Sequence, residues 1–323
     1  MPRYAFFKGQ IVPIEEAKIS IMTHAFNYGT GCFEGIRAYW NDEQEQLYVF
    51  RLREHYERLH RSGRILRMQL PYSVEDMEQI TLDLLRKEGY RQDCYIRPLA
   101  YKADEIIGVR LHNLTDEFAV FASEFGRYIE QEEGCHVCVS AWHRVDDSMT
   151  PARAKITGSY INSALAKTDA VLSGYDEALV PDQEGHISEG SAENLFIVRN
   201  GQLITPPVTC NILEGITRDS IMELAREEMH LPTVERPIDR SELYICEEAF
   251  LTGTGVQVAA ITSIEHRPVG TGMIGPVVSR LRDLYFDVVK GKNRKYAHWC
   301  TPVYDLGSVK SDANLAEPGR VSP

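Results

Sequence analysis

Lys155-Ile156-Thr157-Gly158-Ser159-Tyr160 and, further on, Ile187-Ser188-Glu189-Gly190-Ser191-Ala192-Glu193-Asn194-Leu195-Phe196 place an amine, a phenol and two carboxylates among small residues. The lysine is flanked by Ala154, Ile156, Thr157 and Gly158, none of them charged. Such surroundings permit a deprotonated amine, provided that burial or a nearby cation favours it. By itself a lysine is ordinarily a solvated surface group; here a tyrosine follows one turn later. Ser188-Glu189-Gly190-Ser191 has turn composition, and spacing alone does not choose between Glu189 and Glu193 as the working acid.

Two Gly-rich turns add an anion site. Leu213-Glu214-Gly215-Ile216-Thr217-Arg218-Asp219 opens a helical pattern, and a glycine before a helix start leaves unpaired N–H groups at the positive end of the dipole. Thr252-Gly253-Thr254-Gly255-Val256 lies between two strand-like runs, where a plain hairpin turn is the competing reading. Arg58 sits in a charged amphipathic segment that could equally be a solvated face.

Composition narrows the classes. The chain has 323 residues, 43% hydrophobic and 25% charged, which suits a two-domain globular protein. A net charge of −12 opposes nucleic-acid binding. The N-terminus does not read as a signal peptide, and no run is long and apolar enough to span a membrane. Seven scattered cysteines suit a reducing cytoplasm.

Periodicity predicts strands at 4–8, 18–23, 35–40, 47–50, 94–101 and 117–122, with helices over 53–66 and, from an N-cap at Ser73, to Lys87. The polar, Gly-bounded stretch 126–134 reads as a linker between a first domain at 1–125 and a second at 135–290. In the second, strands at 135–142, 177–180, 193–199, 202–204, 233–236, 248–252 and 256–261 alternate with helices over 159–172, 217–229, 239–245 and 275–290. From Gly291 periodicity fades among prolines and glycines, which predicts a poorly ordered tail over 291–323. Gly29-x-Gly31-x-x-x-Gly35 has the wrong spacing for a dinucleotide loop. Cys135 and Cys138, three apart on a strand, face opposite ways, so no metal site is expected there.

Together with His24-Ala25-Phe26-Asn27-Tyr28-Gly29-Thr30-Gly31-Cys32-Phe33-Glu34-Gly35-Ile36-Arg37, Tyr95-Ile96-Arg97-Pro98-Leu99 and Gly126-Arg127-Tyr128, these motifs make the chain resemble the branched-chain aminotransferases of class IV (fold-type IV), from about residue 4 to residue 290. The resemblance implies a mixed α/β, two-domain fold like that of D-amino-acid aminotransferase, with pyridoxal 5'-phosphate (PLP) in the interdomain cleft. It implies Lys155 as the Schiff-base lysine and proton-moving base, with Tyr160 on the cofactor's phenolic oxygen. Glu189, rather than Glu193, pairs with the pyridine nitrogen. The amides of Ile216 and Thr217, the hydroxyls of Thr217 and Thr254, and Arg58 hold the phosphate. Glu214 stands where bacterial relatives often have proline.

For substrate, Phe33 with Tyr28 and Tyr128 walls an apolar pocket, and Arg97 takes the distal carboxylate of glutamate. Gly35, Arg37, Tyr95, Thr254 and Gly255 serve the α-carboxylate end. The implied reaction moves the amino group of leucine, isoleucine or valine to 2-oxoglutarate, in a cytoplasmic homodimer or larger homo-oligomer that binds neither nucleic acid nor membrane. D-amino-acid aminotransferases, (R)-amine transaminases and aminodeoxychorismate lyases share the fold and are the alternatives, with a non-catalytic PLP binder as the reading of another class. Arg110, in the departing segment 103–112, raises a side activity on (R)-primary amines.

Overall fold

The computed structural model describes residues 2–125 and 134–305. Two mixed-order sheets organise it, each flanked by helices.

The first sheet is built from β1 (Tyr4–Phe7), β2 (Gln10–Pro13), β3 (Gly31–Phe33), β4 (Ile36–Asn41), β5 (Gln46–Phe50), β6 (Cys94–Lys102) and β7 (Asp116–Glu124), with a short helix α1 (His24–Tyr28) before β3. β6 and β7 pair antiparallel over their whole length. Two helices, α2 (Leu52–Ile65) and α3 (Val74–Glu88), cover this sheet. Their apolar residues recur at helical spacing, so Leu52, Tyr56 and Leu59 of α2 pack with Met77, Leu84 and Leu85 of α3 against Ile96, Phe118 and Val120. The Ser73 side chain accepts from the Asp76 amide and Asp76 returns the bond to the Ser73 amide, the capping box that starts α3.

The second sheet contains β8 (Cys135–Val139), β9 (Glu177–Pro181), β10 (Ile187–Gly190), β11 (Asn194–Arg199), β12 (Gln202–Thr205), β13 (Thr233–Glu235), β14 (Glu248–Gly253), β15 (Gln257–Ile264) and β16 (Arg267–Pro268). Helices α4 (Tyr160–Leu172), α5 (Ile216–Met229) and α6 (Pro276–Val289) belong to this part. On one face Ile221 and Leu224 of α5 and Leu281 and Tyr285 of α6 pack on Phe196 and Phe250; on the other, Leu195, Ile197 and Leu251 meet Ile238 and Leu243. Tyr39 and Phe50 from the first sheet join the former core, so the two sheets share apolar contacts.

Three expectations need correction. Residues 18–23 form no strand; Ile19 and Ile21 alternate as a strand would, yet Ile21 stays 81% exposed, because nothing among the described residues covers that face. Ile187–Gly190 is a buried strand rather than a turn. The tail predicted from residue 291 remains folded to 305: a helical turn over Arg294–Trp299 leads into β17 (Cys300–Pro302), which pairs antiparallel with β5 and extends the first sheet. The first unit therefore draws a strand from the far end of the chain. Most of the expected linker, including Tyr128, and residues 306–323 lie outside the described residues.

Candidate active site

A cavity of about 510 Å³ opens between the two sheets. Lys155, Tyr160, Glu189, Arg58, Ile216, Thr217, Thr254, Gly255, Phe33, Gly35, Tyr95 and Arg97 all line it, so twelve of the residues singled out by sequence, scattered from 33 to 255, share one wall.

The amine is placed by an irregular segment pinned to the first sheet. Ile156 bridges to Cys32 of β3, and the Lys155 carbonyl accepts the Phe33 amide at 3.0 Å. A turn at 157–159 then starts α4, which brings the Tyr160 hydroxyl to 2.5 Å from Lys155 Nζ. The Phe33 ring meets the Tyr160 ring edge-on at 4.8 Å, and Lys155 Nζ lies 5.1 Å from both ring centroids.

At one end, Glu189 on β10 is buried, and both its oxygens have partners. Oε1 accepts from Arg144 Nη2 at 2.6 Å; Oε2 accepts from Asn194 Nδ2 at 3.1 Å and the Leu213 amide at 3.2 Å. Burial pushes this carboxyl above its ordinary value, with the Arg144 charge the largest opposing influence. Glu193 also lines the cavity; burial, then the nearby Glu177, pushes it up to about 8, so it holds its proton at neutral pH.

At the other end stands the start of α5. Gly215 caps it, and a Cβ there would sit 2.0 Å from Asn194 Oδ1, so only glycine fits. The first-turn amides of Ile216 and Thr217 have no intrahelical acceptor. Arg58 reaches the same end from α2: Nε and Nη2 donate to the two oxygens of Glu34 at 2.8 and 2.7 Å, and Nη1 donates to the Glu214 carbonyl at 2.8 Å. The anomalous Glu214 is thereby explained, since its carboxylate turns outward to Arg153 at 3.7 Å while its carbonyl serves the site. The Thr252 hydroxyl, buried at the cavity wall, has no hydrogen-bond partner among the described residues.

The substrate side combines apolar and cationic groups. The Arg97 guanidinium stacks 4.5 Å from the Phe33 ring centroid and donates to the Tyr95 hydroxyl at 2.8 Å. Gly35 permits that approach, because a Cβ would lie 2.4 Å from the Tyr95 hydroxyl. Arg37 does not line the cavity; it sits behind it, donating to the carbonyls of Gly255 and Phe125 at 3.2 Å each. Tyr28 is also outside the cavity of the single chain, its hydroxyl accepting the Gly108 amide at 3.1 Å.

Sequence reasoning missed Arg144, Asn194, Glu34 and His55. Arg144 stands in an irregular stretch with no motif; Asn194 and Glu34 lay inside quoted motifs without a role. For Asn194, Glu34 and His55 the signal is a polar side chain close in sequence to a residue already singled out; Arg144 offered none.

The residues present fit PLP, an aldehyde that carries a phosphate. They offer a lysine amine, a carboxylate, an arginine fork and a capped helix start around one cavity.

Residues 31–264 match the family model described as amino-transferase class IV. The chain is 51% identical over 302 residues to a probable branched-chain-amino-acid aminotransferase of Aquifex aeolicus, covering 94% of this chain and 97% of that protein. Among solved structures, the branched-chain aminotransferase of Thermoproteus uzoniensis with norvaline superposes with a TM-score of 0.90 at 42% identity, over 94% of this chain and 100% of that one. The branched-chain amino acid aminotransferase of Thermobaculum terrenum in its PLP form gives 0.90 at 39% identity, over 94% and 99%.

Proposed function

The chain belongs to the class IV aminotransferases, among the PLP-dependent branched-chain-amino-acid aminotransferases, and from that premise we propose a role for each residue of its cavity. The observation that carries the proposal is the convergence of Lys155, Tyr160, Glu189, Arg58 and α5 on one cavity. Lys155 Nζ would hold PLP covalently and, with substrate in its place, would be the base that carries a proton from the substrate α-carbon to the carbon of the cofactor's former aldehyde. When bound, PLP supplies the electron-accepting ring.

Tyr160 holds Lys155 in line through the 2.5 Å bond and presents its hydroxyl to the cofactor's phenolic oxygen. Glu189, fixed by Arg144, Asn194 and Leu213, is the anion for the ring nitrogen. Arg58, the Ile216 and Thr217 amides, and the Thr217 and Thr254 hydroxyls grip the phosphate. The Thr254 hydroxyl now donates to the Gly35 carbonyl at 2.8 Å, so it would exchange that acceptor for a phosphate oxygen.

Phe33 provides the apolar wall for leucine, isoleucine and valine. Arg97 waits at its edge for the distal carboxylate of 2-oxoglutarate, its charge kept company by the Phe33 and Tyr95 rings. A charge held this way avoids the cost of an unpaired buried cation while leucine occupies the site. Tyr95, Gly35, Gly255 and, from behind, Arg37 shape the α-carboxylate end.

A homodimer or larger assembly is part of this reading. Ile21, Met22 and Phe26 around α1, Ile107 and Val109 on the loop hydrogen-bonded to His24, and Ile161 on α4 leave apolar surface exposed. Tyr28 and, by resemblance, Tyr128 would then complete a neighbour's pocket. Light scattering behind a sizing column should return at least twice the 36.7 kDa chain mass. The seven free thiols support a cytoplasmic location. Arg110 is exposed and does not line the cavity, so its placement does not favour the (R)-amine side activity.

The test is the visible spectrum of the purified holoenzyme. L-leucine should bleach the yellow band and 2-oxoglutarate restore it. A band untouched by leucine would overturn the substrate assignment, and a protein that never turns yellow with PLP would overturn the cofactor site.

A further inference from the structure

Glu34 is fully buried in the turn between β3 and β4, with no access to the cavity. It is nevertheless as heavily bonded as Glu189, with three donors to its two oxygens. Oε1 accepts from Arg58 Nε, and Oε2 accepts both Arg58 Nη2 and, at 2.8 Å, His55 Nδ1. His55 is buried, and burial holds its ring below the ordinary histidine value, so it serves as a neutral donor. The Glu34 amide is itself tied to the Pro98 carbonyl at 3.0 Å.

The donor inventory of Arg58 gives this cluster its meaning. A guanidinium has five N–H groups in a rigid fork. Three are committed, two to Glu34 and one to the Glu214 carbonyl. The remaining two sit one on each terminal nitrogen, and Arg58 lines the cavity. With three acceptors from two separate turns, the fork cannot rotate without losing a buried hydrogen bond. An ion pair this deep adds little to stability compared with apolar packing, so its value lies in orientation.

We propose that Glu34 is the positioning residue for phosphate recognition: it aims the Arg58 fork, and His55 steadies Glu34 in turn. This rests on the reading of Arg58 as the phosphate ligand. A second consequence follows from charge. Glu34 neutralises Arg58 in the ligand-free chain, so the buried cation is never uncompensated while it waits for an anion.

Pyridoxal, which lacks only the phosphate, separates aiming from folding. Dissociation constants of PLP and of pyridoxal are measured from the absorption band on the apoenzyme of the wild type, Glu34→Gln, Arg58→Lys and the double variant. Glu34→Gln should weaken PLP by about tenfold, as loss of a supporting partner does, and leave pyridoxal almost unchanged. In the Arg58→Lys background the same change should add nothing, because no fork is left to aim. Should the glutamine variant not fold, Glu34→Asp keeps the charge but shortens the reach, and predicts the same selective loss of PLP.

Equal weakening of PLP and pyridoxal, or none, would overturn the role of Glu34 while leaving Arg58 in place. A wild type that binds both alike would remove the phosphate site itself and this inference with it.

Discussion

The cavity is bounded by two arginine–glutamate pairs that use the same chemistry in different arrangements. At the α5 end the cation faces the cavity and Glu34 stands behind it; toward β10 the carboxylate of Glu189 is fixed by Arg144. The two carboxyls respond differently to burial. For Glu34, burial alone would raise the carboxyl, but the bidentate Arg58 and the His55 donor overcome it and hold the group down at about 2. For Glu189, one arginine contact, an amide and a backbone N–H do not overcome burial, and the carboxyl stays above its ordinary value. Each carboxylate accepts three hydrogen bonds, so the difference is one of charge: Glu34 is neutralised by a bidentate guanidinium, whereas Glu189 retains capacity for a further cation, which the cofactor's protonated ring nitrogen would supply.

The largest expected effect breaks the second pair at its acid. Glu189→Gln should lower kcat with leucine and 2-oxoglutarate by about 100- to 1,000-fold, as loss of a preorganised charge does, while PLP stays bound. Unchanged turnover would move the electrostatic role elsewhere.

Arg144→Met comes next. Without the largest opposing charge, burial drives Glu189 higher still, so the acidic limb of the kcat–pH profile should move to higher pH. A shift of one pH unit would cost about tenfold in the activity measured on that limb. A limb that does not move would show that Arg144 fixes Glu189 without tuning it.

Stability against pH sharpens the contrast. Glu193, raised to about 8 in the folded chain against an ordinary 4.5, keeps a proton that the unfolded chain releases. Its contribution therefore declines as pH rises from 4.5 to 8, and Glu193→Gln should flatten the fall of the urea midpoint over that window. Glu34 has the opposite sign: its contribution is present above 4.5 and is lost as pH falls toward 2. The smallest effect is a control away from both pairs. Ser73→Ala removes the capping box of α3 and should cost about 1 kcal/mol of stability in denaturant titration, with kinetics unchanged.

Legibility followed the range of the signal. Lys155, Tyr160, Thr217 and Thr254 sit in short local motifs, and the capping box at Ser73 is written in four consecutive residues. Ser188-Glu189-Gly190 read as a turn because buried strands are expected to be apolar, yet this one uses Ser188 and Glu189 to bond a neighbouring carbonyl and Arg144. β17 was invisible because its partner, β5, lies some 250 residues earlier in the chain. Arg144 was missed for a similar reason: it meets Glu189 across a fold, without a shared spacing. The strand pattern at 18–23 carried a true apolar alternation, but no surface among the described residues answers it.

The turn at 33–35 binds three parts of the site through three consecutive residues. The Phe33 amide holds the Lys155 carbonyl, the Glu34 side chain holds Arg58, and the Gly35 carbonyl holds the Thr254 hydroxyl. The Phe33 and Gly35 contacts join the first sheet to elements of the second part and the Glu34 contact holds α2 on the first, so amine, fork and hydroxyl share one mechanical reference. Any opening of the cleft at this turn would release amine and hydroxyl together, while the fork stays with Glu34 on the first sheet. For variant libraries, residues 33, 34 and 35 then behave as one site rather than three, and their substitutions should combine far from additively.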